Sequence, residues 1–388
     1  MKGTTTASEP VAGSRIDWID GLRVLACFMV VFSHCCDGFV AQFDADPVSF
    51  LTGVSLGSLM RPSVPLFVMI TGVLLLPVGQ PSTMGGFYRK RLGRIVVPLV
   101  FWSLALPVLA YVYFRYGDGM ASANPSVDMS AYTPEGLTNR LWTWILNFNF
   151  DTTPLWYLYM LVGLYLVMPV VGRWIQSSSR AEVKLFLKIW FATLFIPYIK
   201  LLAPFAGYTG NYGNLDIFGG CDWNAFSAFY YVSGFIGYLI LGYYLKTYPL
   251  QWSRRRCFLT LSPMWLIGYA VTVAGYIVLQ QNYPGNYAYL EIIWLFTGIN
   301  VFMMTLPVFV VMQRLRYRSN PGLRLVAKLS FGIYLCHFIF VMMAYDIYDA
   351  GTWAPFVRIC LMSLTVFAAA ATLTWILYAN RFTARLVK

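Results

Sequence analysis

The sequence predicts an all-α membrane protein, a bundle of about ten transmembrane helices with both termini in the cytoplasm. Three observations predict it. Of 388 residues, 59% are hydrophobic and only 11% charged, against about 25% charged in an average soluble domain, which excludes a soluble globule. Apolar stretches recur from Val24 to Leu377, each of about 20 residues, the length a helix needs to cross about 30 Å of hydrocarbon. The connectors between them alternate in charge. With the N-terminus inside, every cytoplasmic connector is basic, and only Arg61, Arg115, Arg140, Lys200 and Arg358 of the 28 basic residues fall on the outer side. One missed or invented span would invert every later loop, so the alternation supports the count as well as the direction. The net charge of +12 therefore reports topology, and no nucleic-acid partner is expected.

Residues 1–15 (MKGTTTASEPVAGSR) lack the apolar core and cleavage site of a secretory signal peptide and read as a polar cytoplasmic tail. Residues 16–380 form the transmembrane domain. Its first span, about 20–40, begins after Asp17 and Asp20; the second, about 63–79, begins at VPLFVMITG. The third, about 94–115, is entered through the basic run FYRKRLGR, and the fourth, about 154–175, through PLWYLYML. The fifth and sixth, about 185–204 and 224–245, flank an outer connector rich in Asn, Gly and Tyr. The seventh, about 257–279, follows Arg254–Arg256, and the eighth covers about 289–313. The ninth, about 329–348, contains SFGIYLCHFIF; the tenth, about 354–379, precedes a basic tail at 381–388. Two outer connectors, 116–153 and 205–223, are long enough to form acceptor-binding surfaces, and Leu141–Phe150 reads as an interfacial or re-entrant helix. Seven cysteines without paired spacing give no disulfide framework and no zinc motif, and no metal is expected.

Chemistry concentrates on the first span. Arg23 and His34 lie eleven residues apart, close to three turns, which sets both on one face about 16 Å apart along the axis. Asp20 precedes Arg23 by three and Asp37 follows His34 by three, so both carboxylates can share that face. Asp20 and Arg23 read either as an interfacial ion pair or as part of a functional seam. An intramembrane histidine is a functional candidate by default, suited to general-base or nucleophilic work, and Asp37 is placed to orient it or to stand as an ordinary surface carboxylate. Arg91 and Arg94, one turn apart beside Tyr88, read as a phosphate-binding pair or as a positive-inside anchor. His337 is a candidate donor contact or a structural hydrogen bond. Ser33 and Thr71 are candidate oxyanion donors or satisfiers of helix carbonyls. Arg61 and Glu291 near outer span ends, and Trp142, Trp144, Trp156 and Tyr157 beside an outer loop, are candidates for a polyhydroxylated acceptor; snorkelling and the aromatic belt are the plainer readings. On these residues alone an enzyme competes with a transporter or flippase of a glycan or lipid intermediate and with a structural scaffold.

The segment IDGLRVLACFMVVFSH, with Arg23 and His34, resembles the first helix of the acyltransferase-3 family of integral-membrane O-acyltransferases. Other segments fall in the family's order: Val64–Gly72 is similar to its second-helix FFxxSG pattern with Thr71 in place of serine, and Arg91–Arg94 to its RxxR pair. Pro154–Val171, Leu241–Leu245 and Ser330–Phe340, the last containing the closing YLxH, complete the resemblance over nearly all of the chain. It implies a ten-helix fold in the bacterial inner membrane. It also implies transfer of an acyl group, most often acetyl, from cytoplasmic acetyl-CoA to a hydroxyl of a cell-surface glycan or lipid-linked saccharide. His34 would be the essential histidine and Arg23 its motif partner; Arg91 and Arg94 would contact the CoA donor. The family often carries a fused extracytoplasmic hydrolase-like domain, and the chain is expected to work as the membrane domain without one.

Overall fold

The computed structural model describes residues 16–78, 83–143, 146–208, 218–219, 227–315, 318–349 and 351–388. The polar tail 1–15, Trp144 and most of the outer connector 205–223 lie outside them. The regular structure of the described residues is all helical, with no strand among them. In chain order the helices are α1 (Asp17–Val40), α2 (Pro47–Leu59), α3 (Ser63–Leu75), α4 (Met84–Tyr116) and α5 (Pro134–Trp142). There follow α6 (Trp156–Ser177), α7 (Arg180–Thr193), α8 (Ile196–Leu202), α9 (Ile236–Thr247) and α10 (Arg254–Asn282). The last are α11 (Tyr287–Trp294), α12 (Ile299–Arg314), α13 (Pro321–Asp349) and α14 (Pro355–Ala379).

Among the described residues, eight segments are long and apolar enough to cross a bilayer, and they coincide with eight of the ten spans read from sequence. The other two are broken. The fifth is divided into α7 and α8, with Pro197 at the start of α8 removing the amide that would continue the helix. The sixth survives as the twelve residues of α9. The second span starts earlier than its hydropathy suggests, because α2 and α3 together form one apolar segment, Pro47–Leu75. The side chain of Asp46 caps α2 by accepting from the amides of Val48 (3.0 Å) and Ser49 (3.2 Å), with Pro47 fitting the first turn. Ser, Thr and Gly in α2 dilute its apolar signal without unsettling its helix.

α1 is the central rod, packed against α2, α3, α12, α13 and α14. Its fully buried Leu22, Ala26, Val31, Cys35 and Phe39 recur at four- or five-residue steps, as one helical face requires. In a bilayer, helix association gains little from expelling water and depends on close packing, which small residues permit. α3 and α9 use this twice. A Cβ on Gly72 would come within 1.9 Å of the Leu239 carbonyl oxygen, and one on Gly242 within 2.2 Å of the Met69 carbonyl oxygen. Lys246 Nζ then donates to the Val73 carbonyl at 2.9 Å, closing the end of the pair.

Candidate active site

Two cavities flank a septum of aromatic rings, and α1 contributes to both. The first, of about 310 Å³, takes Arg23 from α1, Thr71 from α3, Arg91 and Arg94 from α4, Tyr157 and Tyr165 from α6, and Tyr334 from α13, with Lys388 from the chain end. One turn of α4 puts both of its arginines on the cavity, which is what an i, i+3 pair permits. Four cations thus face a space whose remaining lining is apolar or aromatic except for Thr71 and Ser330. Arg23 also lines a neighbouring cavity of about 450 Å³ together with buried Asp20 and with Arg324 and Lys328 of α13.

The septum belongs mainly to α13. The Tyr334 hydroxyl donates to the Pro154 carbonyl, and its ring lies 5.6 Å from that of Tyr157 and 6.0 Å from that of His337. His337 is fully buried. Its Nδ1 donates to the Tyr334 carbonyl at 2.7 Å, so Nδ1 carries the proton and Nε2 of the neutral ring is an acceptor. That Nε2 is buried and has no hydrogen-bond partner among the described residues. The His337 ring centroid is 5.3 Å from that of His34.

On the far side of the septum, His34 Nδ1 lies 2.9 Å from Asp37 Oδ2, with the two side chains 20% and 43% exposed. A carboxylate accepts, so His34 donates from Nδ1 and keeps the Nε2 lone pair for other work. His34 and Asp37 line a second cavity with Asn124, Ser126, Phe150 and Tyr345. It holds about 30 Å³, room for a water or two and for no sugar. The connector that follows α4 supplies Asn124, Ser126 and Phe150 to its lining, and buried or part-buried polar contacts brace this connector and the end of α4. Tyr113 (2.8 Å) and Ser122 (2.5 Å) donate to Asp346; Tyr132 (2.8 Å) and Arg140 (2.7 Å) donate to Asp151, which is fully buried. Asn124 and Ser126 escaped the sequence reading as individual residues, although their connector was singled out.

Other candidates are placed elsewhere. The Tyr88 hydroxyl donates to the Leu166 carbonyl at 2.7 Å, tying α4 to α6, and it lines neither cavity. Arg61 donates from Nε to the Trp294 carbonyl at 3.0 Å and lies 4.0 Å over the Phe296 ring. Trp156 stacks on the same ring at 5.5 Å, so Arg61 and Trp156 meet across Phe296 and line neither cavity. Glu291 is exposed on α11. Thr71 lines the basic cavity, and its hydroxyl donates to the Phe67 carbonyl at 2.9 Å. Trp142 is exposed and α5 ends there. Residues 146–149 are not helical, so the interfacial or re-entrant helix expected over Leu141–Phe150 does not form across the described residues; the Asn147 side chain instead accepts from the Phe148 amide, and Asn149 stands at the N-cap of the turn that follows. Among the described residues no group of three or more His, Cys, Asp or Glu could hold a metal.

Residues 16–375 match the family described as Acyltransferase domain. No curated protein and no solved structure matches the chain.

Proposed function

Because the chain belongs to the acyltransferase-3 family over nearly its whole length, we propose that it is a membrane O-acyltransferase that uses cytoplasmic acyl-CoA, with acetyl as the group moved. The acceptor is a hydroxyl of a cell-surface glycan or lipid-linked saccharide, and the setting is the bacterial inner membrane. The observation that carries the reading is the row Asp37–His34–His337, which runs from the second cavity into the septum that separates it from the cavity faced by cations.

In this reading Arg91, Arg94, Arg23 and Lys388 hold the donor's phosphates by charge-assisted hydrogen bonds, and Asp20 acts through Arg23. The neutral pantetheine arm passes the rings of Tyr157 and Tyr334, and the orphan Nε2 of His337 accepts from one of its amide N–H groups. His34 Nε2 removes the proton from the acceptor hydroxyl, which alone enters the small second cavity while the rest of the saccharide stays outside it, as its oxygen attacks the thioester carbonyl. The carbon–sulfur bond then breaks, and the departing thiolate takes the proton back from the imidazolium, which Asp37 has stabilised. Attack by His34 itself, giving an acyl-histidine that the hydroxyl resolves, uses the same atoms in two steps.

The test is transfer of radiolabelled acetyl from acetyl-CoA in membranes with the protein, without it, and with His34→Ala. Label is expected in saccharide fractions only with intact His34, the variant losing at least the roughly 10²–10⁴-fold that a positioned base supplies. Equal labelling by a folded His34→Ala variant would remove the histidine from the chemistry.

A further inference from the structure

α10 turns outward a face that the bundle leaves uncovered. Phe258, Leu259, Leu266 and Ile267 are each more than half exposed, and α10 has the smallest buried share of any candidate span, 22% of its apolar window. Between it and α12 runs a groove of about 1310 Å³ whose lining includes Leu25 of α1. It shares no lining residue with the cavity that holds Arg91 and Arg94.

The groove is amphiphilic along its length. Arg254 stands in the first turn of α10 and Arg314 in the last turn of α12, so two antiparallel spans bring both guanidinium groups to one end. Arg314 Nη2 is held by the carbonyls of Leu250 (2.6 Å) and Trp252 (2.8 Å), and the rest of its donors have no partner among the described residues. Arg254 is followed by Arg255 and Arg256 with no acidic residue in the turn, and positive charge at the positive end of a helix dipole is left uncompensated there. Beneath this end the walls are apolar: Phe258 and Trp265 on one side, Val311 on the other. Twelve residues separate Arg254 from Leu266, a rise of about 18 Å, close to half of a hydrocarbon core about 30 Å thick. The volume exceeds the roughly 300–1,000 Å³ of most small-molecule clefts.

We propose that this groove holds an anionic phospholipid of the cytoplasmic leaflet, its phosphate between Arg254 and Arg314 and its chains against Phe258, Trp265 and Val311. Charge complementarity selects the headgroup, and the leaflet-deep apolar walls select a two-chain amphiphile.

The test is native mass spectrometry of the full chain in detergent, offered phosphatidylglycerol, phosphatidylcholine or a polyprenyl phosphate at equal concentration. One phosphatidylglycerol per chain is expected to be retained in preference to phosphatidylcholine. Arg254→Gln is expected to cut that preference about tenfold, the worth of one charged hydrogen bond. Val311→Trp fills the groove from a half-exposed position and is expected to abolish retention with helical content and Tm unchanged. Equal retention of the two phospholipids, or a preference that survives both substitutions, would overturn the proposal. Displacement of phosphatidylglycerol by the polyprenyl phosphate would also overturn it, by assigning the groove to a lipid carrier.

Discussion

The carboxylate of Asp37, 2.9 Å from Nδ1 of His34, decides which ring nitrogen of that histidine carries the proton. Asp37→Asn keeps the shape and loses the charge, so it is expected to lower kcat by roughly ten- to a hundredfold, the 1.5–3 kcal/mol of a charged hydrogen bond, with KM for acyl-CoA little changed. Steady-state kinetics on purified protein read that split, and an unchanged kcat would reduce Asp37 to a surface carboxylate. His337 makes the complementary prediction. A buried acceptor without a donor costs about 1–3 kcal/mol, a cost removed when a ligand brings the missing N–H. His337→Phe keeps a ring in the septum and removes the acceptor, so KM for acyl-CoA is expected to rise about fivefold while kcat holds; an unaltered KM would make the residue purely structural. The i, i+3 spacing of His34 and Asp37 was legible in the sequence. The approach of His337 to His34 was not, because 303 residues separate them and only the packing of α13 on α1 brings the rings together.

Two short motifs acquire a physical meaning at the level of helices. Gly72 closes the segment that resembles FFxxSG, Gly242 sits in LGYYL, and each glycine admits the other helix's backbone. Gly72→Ala is therefore expected to force α3 and α9 apart and to destabilise the fold by about 1–3 kcal/mol or more. Gly163→Ala in α6, where a Cβ would meet nothing within 4 Å, is the matched control and should leave Tm level or slightly raised. Thermal melts of the two variants in detergent check this, and equal melting temperatures would refute the close crossing. Hydropathy located eight spans because each holds a long apolar window with few charges, even where the helix itself breaks, as between α11 and α12. It missed the break between α7 and α8 because Pro197 alters backbone bonding without altering hydrophobicity.

Across the whole molecule, Arg23, Arg91, Arg94 and Lys388 face one cavity and the histidine pair stands behind a septum, so the proposed binding and chemistry are divided in space. Arg91→Ala with Arg94→Ala is accordingly expected to raise KM for acetyl-CoA at least tenfold, an effect that shrinks as salt rises. A short acetyl-pantetheine donor without the nucleotide phosphates should be used equally by both proteins. If the double variant loses activity on both donors alike, the arginines support the fold and not the donor. The septum of Tyr334 and His337 has a bioenergetic consequence. Moving one elementary charge across the full membrane potential involves about 2.3 kcal/mol per 100 mV. In the proposed reaction the phosphates stay at the cationic mouth and only an uncharged arm enters the field. In that reaction the acyl group crosses without drawing on the voltage, and the tilted rings of Tyr334 and buried His337 stand between two cavities that share no lining residue, the arrangement an energised membrane needs if it is to keep its gradient.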